Sequence, residues 1–237
     1  MCFRLLPLKR TAAAILLALA CMTPARADDD LDDFNRAVEA AMAHHRVAAG
    51  YLRTGNIDLA ALELEGLRAA WAKVTALRKP AAFRDTERYT GTMLDISTKL
   101  VGIFLVLDLG SVDVARKSLD AIRASLSELR RSNGVTVLAD CVIDSNTAMD
   151  TLFAHDARPD WTTLPASAEA YRATLQRCDA MAPPTIGNHP EFRRLIDGAL
   201  ASLAQFPKAI ETRDGDLLHR LLIELRSFDH LLAFRYG

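Results

Sequence analysis

The sequence is poor in the residues on which several protein classes depend. Its 237 residues include 11 Gly and 9 Pro, too few for a fold of many short strands joined by turns. Four Cys exclude a disulfide-dense small scaffold. A formal net charge of −1 and a pI near 6.6 provide no basic surface for nucleic acid. Half of the residues are hydrophobic, which excludes intrinsic disorder and leaves an ordinary globular protein.

Motifs of the common catalytic classes are also absent. The chain has no Gly-rich phosphate loop, no nucleophile elbow, no HExxH pair and no Cys/His spacing typical of zinc. It has no CxxCH for covalent haem attachment either. We therefore do not predict an enzyme, and we assign no catalytic or metal-binding residues.

The first 27 residues have the features of an export signal. Arg4, Lys9 and Arg10 precede a short apolar stretch from Thr11 to Met22, and Ala25-Arg26-Ala27 fits a small-x-small cleavage site. The apolar stretch is shorter than the roughly 18 residues that a membrane span requires. We therefore expect cleavage after Ala27 and a periplasmic or secreted protein without a membrane span.

Beyond the signal, hydrophobic residues recur at intervals of three and four, which predicts helices. The pattern covers residues 30–53, 56–77, 86–108, 111–131, 135–155, 165–182, 190–210 and 216–237. No alternating pattern predicts a strand. Asn133-Gly134 is the strongest boundary indication in the chain. We predict an all-α fold with one four-helix bundle over residues 28–133 and a second over residues 134–237.

An internal repeat organises these helices. Gly55-Asn-Ile-Asp-Leu-Ala60 recurs as Gly110-Ser-Val-Asp-Val-Ala115, and Gly215-Asp216 begins a looser third copy. In each copy Gly is expected to end one helix with a positive φ, and Asn56 or Ser111 is expected to cap the next. The resulting helical hairpins predict two tandem up-down four-helix bundles. A continuous stack of hairpins of solenoid type is the alternative.

Each half resembles the cytochrome c′/cytochrome b562 superfamily in its pattern of helices. The second half is the more similar, with a helix ending at Pro183-Pro184, a helix start at Pro190 and the terminal residues Phe234-Arg235-Tyr236-Gly237. The resemblance implies a four-helix bundle. In that family a haem-ligating His lies three residues before a terminal Tyr, where this chain has Ala233. The resemblance therefore carries no haem ligand over, and we expect no bound cofactor.

Three residues could hold a haem or a copper ion inside a bundle. Met42 and His45 lie on the first predicted helix, and Met93 lies on the third. The alternative is a histidine at the edge of the core with methionines as apolar filler. The sequence thus favours a haem-free binding or interaction protein. The two alternatives are an electron-transfer protein with non-covalent haem and a metal-binding or sensor bundle.

Two groups of polar residues are expected at the surface. Asp140 and Asp144 lie one helical turn apart and are expected on a solvated face. His219, Asp229 and His230 share the last helix, and we expect them at the surface or at a hairpin end. Asp140 and Asp144 lack a third ligand at helical spacing. His219 and His230 lie 11 residues apart, too far for one metal, and the adjacent Asp229 and His230 point in different directions.

The stretch Leu100–Leu109 is almost wholly apolar, interrupted by Gly102 and Asp108. This is more apolar surface than one bundle face requires. We expect the stretch to face the other bundle or a second subunit. The partner would be another periplasmic protein or the chain itself.

Cys141 and Cys178 are the two cysteines that remain after cleavage of the signal. Each lies on the apolar stripe of its helix, and the two helices form a hairpin around residues 156–164. Antiparallel helices bring residues that are equally far from their turn side by side. Because export leads to an oxidising compartment, we predict a Cys141–Cys178 disulfide.

Overall fold

The computed structural model describes residues 24–237, with side chains from residue 29 onward. This part of the chain is helical and contains no strand, so the predicted all-α fold is confirmed. Its helices are α1 (Pro24–Arg53), α2 (Ile57–Ala76), α3 (Thr86–Asp108), α4 (Val112–Arg131), α5 (Leu138–Phe153), α6 (Leu164–Met181), α7 (Pro184–Gly187), α8 (Pro190–Leu203), α9 (Phe206–Thr212) and α10 (Gly215–Tyr236). Residues 1–23 of the predicted export signal lie outside the described part of the chain.

The chain divides into two compact units between Asn133 and Gly134. Gly134 has a φ of +70°, a left-handed conformation that a residue with a Cβ rarely adopts. The Asn133 side chain holds the end of unit 1. Its amide donates to the Leu129 carbonyl at 2.8 Å, and its oxygen accepts from the Arg84 backbone N–H at 3.0 Å.

In unit 1 each helix packs on its neighbours along the chain, and α4 returns to pack on α1. The core is apolar, with Phe34, Phe83 and Tyr89 in mutual aromatic contact at one end. The Trp71 indole N–H, on α2, donates to the Ser97 hydroxyl of α3 at 3.0 Å. The apolar stripes predicted from the sequence are the faces that line this core.

Unit 2 repeats the same order of packing. α5 packs on α6, α6 on α8 and α9, and α10 packs on both α8 and α5. Tyr171, Phe192 and Phe206 are the largest fully buried side chains of this unit. The helix predicted over residues 190–210, with a kink at Pro207, is divided at that kink into α8 and α9. Pro207 has no N–H to donate to the Leu203 carbonyl, so α8 ends at Leu203. Pro207 itself lies in the first turn of α9.

The turns of the repeat are confirmed in their backbone but not in their caps. Gly55 and Gly110 have φ values of +76° and +75°. Asn56 and Ser111 occupy the N-cap positions, yet neither side chain makes a capping hydrogen bond. The looser third copy differs because Asp214 caps α10 by accepting from the Leu217 N–H at 2.9 Å. The residue with a left-handed φ is Arg213, at +50°, directly before this cap. The prediction that Gly215 ends the preceding helix with a positive φ is therefore wrong.

Asn188, with Glu191 three residues later, predicts the N-cap of α8 and a linker before it, and the structure differs on both points. The N-cap is His189, whose ring nitrogen accepts from the Glu191 N–H at 3.3 Å. Pro190 is the first helical residue, and the N-cap is by definition the residue directly before it. The segment expected as a linker contains the single-turn helix α7.

Candidate functional site

α3 carries two apolar faces. The inward face lines the core of unit 1 and consists of Met93, Ile96, Leu100, Ile103 and Leu107. The opposite face is the outer stripe, which consists of Leu94, Thr98, Val101 and Leu105, together with Leu109 at the C-cap of the helix. Leu94 is 67% exposed, Leu105 62% and Leu109 81%. The apolar stretch Leu100–Leu109 is therefore shared between the core and this uncovered face.

The length and composition of α3 would also allow it to cross a membrane. Two observations weigh against that use of the helix. Its inward face packs on α2 and α4, so a spanning helix would leave the core of unit 1 uncovered. An ion pair between Asp95 and Lys99 lies in the middle of the helix, where a span would place both charges in hydrocarbon.

The three candidate cofactor residues lie in the core of unit 1. Met42, His45 and Met93 are all buried. The His45 Nε2–H donates to the Leu119 carbonyl at 2.8 Å, which leaves Nδ1 unprotonated. Nδ1 is buried and has no hydrogen-bond partner within the described part of the chain. The pKa of His45 is lowered to about 4, chiefly by burial and in smaller part by the charges of Arg123 and Arg46, while the Leu119 bond opposes the shift.

This arrangement does not fit a haem or copper ligand set. The Nε2 atom is engaged by a backbone carbonyl, and the charges of Arg123 and Arg46, which act on the ring, would also repel a cation. Within residues 24–237 no group of three His, Cys, Asp or Glu side chains could hold a metal ion. His45 is best explained as a neutral core histidine that satisfies a carbonyl of α4.

In unit 2 the predicted disulfide is confirmed. The sulfur atoms of Cys141 and Cys178 lie at bonding distance, and the two Cα atoms are 5.4 Å apart. Both cysteines are buried, so the bond joins α5 to α6 inside the core. A bond of this kind stabilises a fold mainly by restricting the unfolded chain.

The same core contains a polar group, the buried polar cluster, formed by Ser145, Asn146, Tyr171 and Asp229. Ser145 and Asn146 come from α5, Tyr171 from α6 and Asp229 from α10. The Asn146 amide donates to Asp229 Oδ2 at 2.6 Å. Ser145 Oγ, Tyr171 Oη and Asp229 Oδ1 are buried without a hydrogen-bond partner among residues 29–237. Each such atom costs on the order of 1–3 kcal/mol of stability.

The titration of the cluster reflects its burial. Burial raises the pKa of Asp229 to about 6, although the Asn146 bond and the charge of Arg226 lower it. Burial and the Asp229 charge also raise the pKa of Tyr171. The Ser145 hydroxyl lies beside both groups and lowers both pKa values, but neither contact reaches hydrogen-bond geometry. Ser145 thus lies between the phenol and the carboxylate.

The expected surface positions are partly wrong. Asp140 and Asp229 are buried, whereas Asp144 is half-buried and pairs with Arg177 at 3.1 Å. Asp229 falls on the stripe of buried α10 leucines, Leu218, Leu222, Leu225 and Leu232. The spacing of those leucines was the indication from which its burial could have been predicted. His219 does lie at a hairpin end, where its ring contacts Asp156 at 2.6 Å.

Comparison of the chain with protein-family models, with curated proteins and with solved structures found no match.

Proposed function

We propose that the protein is an exported, haem-free binding protein built from two up-down four-helix bundles of the cytochrome c′/b562 kind. Its binding surface is the outer stripe of α3. The observation that carries this proposal is the exposure of Leu94, Val101 and Leu105 on one face of α3 and of Leu109 at its C-cap. Contiguous apolar patches that a folded protein leaves exposed often mark an interaction site.

The spacing of the outer stripe favours a helix as the partner. Its members are separated by four, three, four and four residues, close to the pattern that lets one helix pack along another. A lipid surface would be less favourable, because the Asp95–Lys99 ion pair flanks the middle of the stripe.

The outer stripe is complementary to a second copy of itself. If two α3 helices cross antiparallel at Thr98, residues equally far from Thr98 meet. Leu94 then faces the partner's Gly102 and lies next to the partner's Val101, and Leu105 faces the partner's Gly91. Gly91 leaves space for this leucine, since a Cβ there would meet no atom within 4 Å. Asp95 and Lys99 would lie near the partner's Lys99 and Asp95, which adds charge complementarity.

Sedimentation equilibrium of the exported protein tests this proposal. We expect a concentration-dependent dimer, because one pair of helices buries less area than a standard interface. Leu105→Glu should make the protein monomeric without loss of helical circular dichroism. Leu231→Glu is the matched control, since Leu231 is an exposed leucine on α10 and should leave the dimer intact. A wild-type protein that stays monomeric at its highest soluble concentration would overturn self-association.

Export and the lack of haem need a separate measurement. Protein purified from the periplasm of an expressing bacterium should have the intact mass of a chain that begins at Asp28, with no mass added. Its absorption spectrum should lack a Soret band. A haem mass or a Soret band would favour the electron-transfer alternative, and an uncleaved N-terminus in the cytoplasm would contradict export.

A further inference from the structure

The buried polar cluster of unit 2 offers three polar atoms that the protein itself leaves unsatisfied. Ser145 and Tyr171 are fully buried and Asp229 is 1% exposed. Their atoms Oγ, Oη and Oδ1 have no hydrogen-bond partner among the described side chains and backbone. The three residues come from three helices, of which α5 packs on both α6 and α10. Ser145 and Asp229 both act on the pKa of Tyr171, and Ser145 acts on that of Asp229, so the three groups lie close together.

The remaining polar contacts at this place are already made. Asp229 Oδ2 accepts from the Asn146 amide. The Arg226 guanidinium, one turn before Asp229, pairs with Asp150 and stacks on the Phe153 ring with 5.1 Å to its centre. The arginine therefore lies at the outer side of the cluster. It does not satisfy Asp229 Oδ1.

We propose that the cluster is the binding site of one internal water molecule, held by Ser145 Oγ, Tyr171 Oη and Asp229 Oδ1. The balance of donors and acceptors fits this ligand. Water donates one hydrogen to the carboxylate oxygen Asp229 Oδ1, and its two lone pairs accept the O–H groups of Tyr171 and Ser145. Three protein partners are the usual number for a buried water.

Direct contacts among the three groups are the competing arrangement. In that arrangement Tyr171 would donate to Ser145, and Ser145 would donate to Asp229, with no molecule between them. The structure places the three groups near one another but outside hydrogen-bond geometry, which favours a bridge. A larger polar ligand has no route to the site without separating helices, because all three residues are buried.

A high-resolution crystal structure of the full exported chain tests the proposal. We expect a solvent peak within about 3.2 Å of all three oxygens. Direct Tyr171–Ser145 or Ser145–Asp229 hydrogen bonds without an intervening peak would overturn it.

Oxygen-17 magnetic relaxation dispersion of water provides a second test in solution. Tyr171→Phe should lose the contribution of one long-lived internal water, and Ser145→Ala serves if that variant does not fold. Tyr89→Phe is the control, because Tyr89 is a buried tyrosine of unit 1 outside the cluster. An unchanged signal in a folded Tyr171→Phe protein, or an equal loss in Tyr89→Phe, would contradict the assignment.

Discussion

Asp229 is a carboxylate in a core that otherwise gains its stability from apolar burial. Its pKa is raised to about 6, chiefly by burial, so the folded protein holds this proton more tightly than the unfolded chain does. The group therefore stabilises the fold most below pH 4. That contribution is lost as the pH rises from about 4 to about 6.

Asp229→Asn removes this pH dependence. The amide oxygen can still accept from Asn146, while no buried charge forms at neutral pH. We expect the free energy of unfolding of unit 2 at pH 7.5 to rise by up to about 3 kcal/mol, since one pKa unit corresponds to about 1.4 kcal/mol. The gain should vanish at pH 4. Urea unfolding monitored at Trp161, with Trp71→Phe in the background, measures it, and a lower stability at pH 7.5 would contradict the explanation.

Arg213 is the one described residue other than glycine with a positive φ. A side chain in this conformation is strained, and glycine adopts it freely. Arg213→Gly should therefore raise the free energy of unfolding by about 0.5–1 kcal/mol. Gly110→Ala is the converse variant and should lower it by a similar amount. Denaturant unfolding of the two variants checks the signs, and a destabilised Arg213→Gly protein would show that the strain is not stored there.

At the scale of the helix, the outer stripe of α3 predicts a specific cross-link. Thr98 lies at the proposed crossing point, so its Cβ and that of the partner's Thr98 should be adjacent. Thr98→Cys should form an intermolecular disulfide on mild oxidation, provided the protein begins at Asp28 and has no other free cysteine. Thr75→Cys, an exposed threonine of α2, is the matched control. Equal cross-linking of the two variants on non-reducing gels would contradict the antiparallel contact.

The helices could be predicted from sequence because their core positions repeat with helical spacing over several turns. Their ends follow local chemistry that competes between adjacent residues. His189 rather than Asn188 caps α8 because Pro190 fixes the first helical position. Asp214 caps α10 and moves the left-handed residue from Gly215 to Arg213. Such one-residue choices depend on which side chain reaches a free N–H, and a pattern of apolar residues does not encode them.

The candidate sites were predictable to different degrees. The Cys141–Cys178 pair followed from hairpin symmetry, since both residues lie inward and equally far from the same loop. The exposure of the outer stripe was only half predictable. The sequence showed an excess of apolar residues in Leu100–Leu109, but the side facing the core depended on how α3 packs. Asp229 was missed because a charged residue on an apolar stripe is expected at the surface rather than in a core.

At the scale of the whole molecule, the stabilities of the two units are expected to respond differently to acid and to a reductant. Unit 1 contains the buried neutral His45, and the two cysteines beyond the predicted signal both lie in unit 2. His45 has a pKa of about 4, below its ordinary value of 6.5, so its contribution to stability is complete above pH 6.5. It is lost as the pH falls through 4. Acid should therefore weaken unit 1, and a reductant should weaken unit 2.

The chain has two tryptophans, and Trp71 reports on unit 1 while Trp161 reports on unit 2. At pH 7 a reductant should lower the free energy of unfolding seen at Trp161 by about 2–4 kcal/mol, because it opens a long loop in the unfolded chain. Trp71 should not respond. Lowering the pH to 4.5 should reduce the stability seen at Trp71 by about 2–3 kcal/mol. Over the same range Asp229 takes up its proton and stabilises unit 2.

Two single-tryptophan variants, Trp161→Phe and Trp71→Phe, allow the unfolding of unit 1 and of unit 2 to be followed separately in urea titrations. A Cys141→Ser, Cys178→Ser double variant is the control for the reductant and should be insensitive to it. Opposite movement of the two midpoints on acidification is the decisive result, because a change common to the whole chain moves both in one direction. If both tryptophans instead report one shared transition under every condition, the two units unfold together as one cooperative body. The prediction that His45 and the disulfide stabilise two separate unfolding units would then be wrong.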